Sequence, residues 1–203
     1  MAVLYAKTRE LYRDKIDMPE PKELKARYHF YLACYSQSQN DMKRAQSELT
    51  TAVNADERDA DVLIAMYHFP DGDAAWRQAA VARIQKLCKE LEKQIEDDPS
   101  DSSPYNQWAW LVSNTEGDFQ KAIRYSHRSL ELNKHGDGGA ASFLDTLGRC
   151  YFAAGDYENA VKYEREAIGK NDYLQVMKRQ LAEFEQALAK QKAAANKPAK
   201  KAS

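Results

Sequence analysis

Gly117-Asp118-Phe119-Gln120-Lys121-Ala122 returns downstream as Gly155-Asp156-Tyr157-Glu158-Asn159-Ala160. Each copy reads as a turn and the opening of a helix. Glycine accepts a positive φ, and aspartate caps backbone N–H groups that the first helical turn leaves without partners. Before the second turn, Leu144, Leu147 and Tyr151 share one helical face; after it, Tyr157, Ala160, Val161, Ala167 and Ile168 share another. Two apolar faces joined by a turn, and then repeated, make a stack of helical hairpins. Such a stack offers an extended surface for gripping something and is not built around a single pocket.

Composition agrees with an all-helical chain. In 203 residues there are only 8 glycines and 6 prolines, and no window alternates apolar and polar residues for long. The net charge of −1 hides a split. Lys190, Lys192, Lys197, Lys200 and Lys201 stand in an acid-free C-terminal stretch, so residues 1–189 carry about −6. A body of that sign has no evident attraction for a phosphate backbone. Cys34, Cys88 and Cys150 are far apart with no Cys-x-x-Cys spacing, and read as buried small hydrophobes in a reducing compartment. The N-terminus lacks the pattern of a signal peptide and no window approaches a transmembrane span, so a cytoplasmic chain is expected.

Leu144, Leu147, Gly148, Tyr151, Ala160 and Ala167 together resemble the tetratricopeptide repeat. Glu164 departs from that pattern, which usually has an aromatic residue there; Tyr163 or the glutamate stem is expected to fill part of the space. The resemblance implies an all-α solenoid of antiparallel hairpins, a right-handed superhelix closed by a C-terminal capping helix. Repeats are laid over 22–56, 57–98, 103–134 and 140–172. The second is degenerate, with a long second helix whose apolar face is Trp76, Ala80, Ile84, Leu87, Leu91 and Ile95. In the third, Ala109-Trp110 stands where the pattern has Leu-Gly. In the first, Asn40-Asp41 takes the place of Gly-Asp, with Ala45 and Ala52 in phase behind it.

The ends differ. Residues 1–17 carry a stripe of Leu4, Tyr5, Leu11, Tyr12 and Ile16 and read as an N-terminal helix, either a cap or the half repeat that ends a longer array. Leu174, Met177, Leu181, Phe184 and Leu188 define a capping helix over 173–189, for which a short coiled-coil seam is the alternative. Residues 190–203 are expected to be a disordered lysine-rich tail.

Chemistry is not visible. His29, His68, His127 and His135 form no metal-ligand spacing, no phosphate-binding glycine loop follows a strand, and no nucleophile elbow occurs. No cofactor, metal or catalytic group is expected. The resemblance implies that first helices line a concave face used for binding, at Arg27, Phe30, Cys34 and Gln37, then Asp61, Ile64 and His68. In the third repeat the face falls at Gln107, Leu111 and Asn114, and in the fourth at Ser142, Asp145, Arg149 and Phe152. Arg27, Gln37, Gln107, Asn114, Asp145 and Arg149 are the candidate contacts to an extended peptide or another protein. The alternatives are a helical-repeat RNA-binding protein, disfavoured by charge, and a C-terminal accessory domain of a larger protein.

Overall fold

The computed structural model describes residues 22–133, 140–170 and 175–196. Among them every regular element is a helix. The helices are α1 (Lys22–Ser38), α2 (Met42–Ala55), α3 (Ala60–Tyr67), α4 (Ala74–Asp97), α5 (Ser102–Ser113), α6 (Phe119–Leu132), α7 (Ala140–Ala153), α8 (Tyr157–Lys170) and α9 (Gln175–Ala195). The chain divides into two compact units, Met1–Leu87 and Cys88–Ser203, with the division inside α4.

In the first unit α1 and α2 form an antiparallel hairpin. Asn40 adopts φ 59°, the left-handed conformation that the tight reversal demands. Asp41 then caps α2 by accepting the Arg44 N–H at 3.1 Å. Ala26 and Ala33 of α1 and Ala45 and Ala52 of α2 are all fully buried, small enough to let two helix backbones approach. Leu49 and Val53 fill the remaining space. α3 packs on both helices of this hairpin. It is capped by Asp59, whose Oδ1 accepts from Asp61 and Val62 at 3.0 and 3.2 Å. The buried Phe69 leads out of α3 and lies against Trp76, whose indole N–H donates to the Met66 carbonyl at 2.9 Å.

In the second unit α6 pairs with α5, α8 with α7, and α7 also packs on both helices of the preceding hairpin. Both Gly-Asp turns behave alike. Gly117 and Gly155 take φ 142° and 82°, and Asp118 and Asp156 accept from Lys121 and Asn159 N–H at 2.8 and 3.1 Å. Leu111, Leu147 and Cys150 are fully buried, beside Ala109, Ala122, Ser126, Ser129, Ala160 and Ala167. Ala109 has the small side chain that the contact needs, since its carbonyl lies 3.7 Å from Cys150 Sγ. α9 packs on α8 and buries Met177 and Phe184.

Two expectations change. α9 continues through Lys190 and Lys192 to Ala195, beyond the end expected at residue 189. Alanines 193–195 favour helix, the Lys192 ammonium reaches Glu158 at 2.9 Å, and Gln191 donates to the Gly155 carbonyl at 3.3 Å. The only strongly exposed large hydrophobe described on α9 is Val176, so its apolar seam is used on the stack and not for a coiled coil. Cys34 is exposed and Cys88 half-buried, leaving Cys150 as the one fully buried thiol. Cys34 sits on α1 well around the helix from Ala26 and Ala33, which is why burial misses it. Residues 1–17 and 197–203 lie outside the described residues, as do His135 and Leu174.

Candidate functional site

α1 and α3 lie side by side as the first helices of the first unit. Arg27 joins them. Its Nε lies 3.0 Å from Asp59 Oδ2, and its Nη1 donates to Asp61 Oδ2 at 2.6 Å. Burial works against the guanidinium charge, but the Asp61 hydrogen bond and the two carboxylates outweigh it and leave its pKa raised. Burial also lifts the Asp59 carboxyl above its ordinary range, even beside Arg27. Phe30, Gln37 and Ile64 are half-buried, and Cys34 and His68 are exposed. No residue of this expected face is closed off.

The second unit is different. Gln107 is exposed, and its amide donates to Ser103 Oγ at 3.0 Å, one helical turn back. Asn114 is the C-cap of α5 and donates from Nδ2 to the Trp110 carbonyl at 2.9 Å, so its side chain has a structural task. Leu111 is part of the core. Asp145 and Arg149 come together one turn apart on α7, but α9 lies over them. Gln180 Nε2 donates to Asp145 Oδ1 at 2.7 Å, and Arg149 Nη1 donates to Glu183 Oε2 at 3.5 Å. Phe184 stacks on Phe152, with ring centroids 4.5 Å apart.

Beneath this contact sits Glu164 of α8, 0% exposed. The same Gln180 amide donates to its Oε2 at 3.1 Å, and its Oε1 is buried without a partner. Gly148 makes room. A Cβ there would stand 3.1 Å from Glu164 Oε2 and 3.3 Å from both the Ala160 carbonyl oxygen and the Glu164 nitrogen. The glutamate thus occupies the place of the expected aromatic, while Tyr163 turns elsewhere and stacks on Tyr151 at 5.4 Å. Burial, then the charge of Asp145, pushes the Glu164 carboxyl up to about 9; burial pushes Asp145 up to about 6. The Gln180 amide thus bridges one oxygen of each carboxyl.

Sequence reading singled out Asp145 and Arg149 but missed their partners on α9, Gln180 for Asp145 and Glu183 for Arg149. Two signals pointed to Gln180: a glutamate inside the Ala160, Val161, Ala167 face, and a glutamine between Met177 and Phe184.

His127 accepts or donates at 3.0 Å with the Tyr151 hydroxyl, and burial lowers its pKa. Among the described residues no group of histidine, cysteine and acidic side chains could hold a metal ion, and no helix is long and apolar enough to cross a membrane.

A family model described as "Tetratricopeptide repeat" matches residues 111–169. No curated protein matches the sequence. Among solved structures, the chain is similar to the MamA protein at 13% identity and TM-score 0.46, covering 84% of this chain and 86% of that one. It is similar to BtubC (BKLC) from P. vanneervenii at 19% identity and TM-score 0.46, covering 98% and 92%. It is also similar to YrrB, described as a TPR protein with an unusual peptide-binding site, at 16% identity and TM-score 0.41, covering 95% and 100%.

Proposed function

We propose, from the match of residues 111–169 to the tetratricopeptide repeat, a non-catalytic scaffold that binds an extended peptide or another protein through first-helix faces. The observation that carries this reading is the α1/α3 face. Arg27, Phe30, Cys34, Gln37, Asp61, Ile64 and His68 are all half-buried or exposed, and they combine a charged cluster with apolar and amide groups on two adjacent helices. That mixture suits a peptide whose backbone needs hydrogen bonds and whose side chains need shallow apolar contact. In the second unit α9 already meets Asp145 and Arg149. The binding role therefore rests on Arg27 and Gln37, with Gln107 and Asn114 as lesser contributors.

The test is a selection of peptides from a random displayed library on the native chain, followed by binding of the chosen peptides to Cys34→Arg. Position 34 is exposed at the middle of the face, so the variant keeps its fold and blocks the surface. A loss of at least about tenfold, roughly 1.4 kcal/mol, is expected. Peptides that bind both forms equally, with unchanged circular dichroism, would remove the α1/α3 face from the proposal.

A further inference from the structure

The capping helix is fastened by a polar contact between two apolar ones. Met177 packs with Ala141, Leu144 and Ala167, and Phe184 packs with Ala160 and Val161. Gln180 lies between them on the same face of α9. Its one amide nitrogen donates to Asp145 of α7 at 2.7 Å and to Glu164 of α8 at 3.1 Å. All three helices therefore converge on a pair of acidic side chains that solvent does not reach at Glu164.

We propose that docking of α9 takes up one proton, held between Asp145 and Glu164, so that rising pH loosens this helix from the last hairpin. One Gln180 nitrogen lies within hydrogen-bonding distance of an oxygen of each carboxyl, so the two acids stand close together, and a second negative charge beside a buried carboxyl favours keeping a proton on the pair. An ionised Glu164 would bury a charge with Oε1 lacking any donor, which is more costly than keeping the proton. The surroundings do not neutralise a second charge. From α7 the group faces Asp145 and Arg149; from α9 it faces the neutral Gln180, and Glu183 draws on the same Arg149 guanidinium. The raised position of Glu164, up to about 9, agrees with this geometry.

The sign follows directly. When α9 leaves, Glu164 meets water and its affinity for the proton drops toward that of an ordinary glutamate. The docked state then binds more protons than the open one, and docking weakens as pH rises from the ordinary carboxylate range toward about 9. One proton corresponds to at most a tenfold change in the docking equilibrium per pH unit. What opens is the apolar surface under Met177 and Phe184, beside the first helix α7.

Hydrogen exchange of the α9 amides between pH 6 and 9, corrected for intrinsic rates, reads the latch on the full chain. Protection over residues 175–188 should fall by up to tenfold per pH unit in the native protein and stay flat in Glu164→Gln, which keeps the shape without the titrating proton. Equal slopes in both forms would overturn the proposal. Should Glu164→Gln fail to fold, carboxyl-carbon NMR of the unaltered chain decides. A Glu164 resonance titrating above pH 7 supports the latch, and one titrating with the other carboxylates below pH 5 refutes it.

Discussion

Replacing Gly148 by alanine separates two effects that usually travel together. In an open helical position, glycine to alanine stabilises by roughly 0.4–1 kcal/mol, because alanine has fewer unfolded conformations and a better helix propensity. At Gly148 the new Cβ would lie 3.1 Å from Glu164 Oε2 and 3.3 Å from the Ala160 oxygen and the Glu164 nitrogen. Two of these three atoms are backbone of α8, and the third is held by Gln180. None is the free end of a flexible side chain, so α7 and α8 must part by a few tenths of an ångström. Overpacking of this kind costs about 1–3 kcal/mol. Setting that against the propensity gain leaves a net loss of about 1–2 kcal/mol. Gly169, near the end of α8, is the internal control, since a Cβ there meets nothing within 4 Å. Urea denaturation should therefore show Gly148→Ala lowering the transition midpoint and Gly169→Ala leaving it unchanged or raising it. If both variants stabilise equally, the close approach of α7 and α8 at Gly148 is not real and the packing argument fails.

Further outcomes follow from the same contacts. Global stability should decline with pH between the ordinary glutamate range and about 9, because the native state keeps a proton on Glu164 that the unfolded chain has released. The slope contributed is at most about 1.4 kcal/mol per pH unit, and parallel denaturation curves of Glu164→Gln should lack it. Removing either N-cap, by Asp118→Ala or Asp156→Ala, should cost about 1 kcal/mol each in thermal or chemical unfolding. Timed thiol labelling of the native chain should modify Cys34 first and Cys150 last. Cys34 is exposed, while burial pushes Cys88 and Cys150 up to about 11 and about 12. Leu147→Ala, at a fully buried position, should destabilise by roughly 2–5 kcal/mol and leave Cys34 reactivity in the folded state as it was.

The hairpins were legible because their determinants are local. Positive φ at Gly117, Gly155 and Asn40, aspartate caps at the residues that follow, and alanines in phase behind them are all written within a few residues of each other. The end of α9 was less legible. Its last turns depend on Lys192 meeting Glu158 and Gln191 meeting the Gly155 carbonyl, contacts that join residues more than thirty positions apart. Composition alone makes that lysine and alanine stretch read as a tail. The expected binding face shows the same limit. Arg27 and Gln37 stay accessible, whereas Asp145 and Arg149, equally polar and equally well phased, are met by Gln180 and Glu183. Periodicity tells which side of α7 they occupy; it does not tell what a later helix will place there.

Glu164 shows why the departure from the repeat pattern and the shape of the C-terminus belong together. An aromatic ring at this point would fill the space beside α7 by itself and leave α9 a purely apolar surface on which to slide. A glutamate is thinner and polar, so Gly148 alone does not complete the packing, and a buried hydrogen-bonding group has to be answered from outside the hairpin. Gln180 is that answer. It satisfies one oxygen of each carboxyl and, being flanked by Met177 and Phe184, can do so only in one register of α9. A single polar contact within an apolar seam commonly fixes register at some expense of stability. Here the fixed register also carries Glu183 onto Arg149 and the Phe184 ring onto Phe152. The residue that departs from the repeat pattern in the fourth repeat is thus the one that Gln180 answers, and with it the cap comes to lie over Asp145 and Arg149.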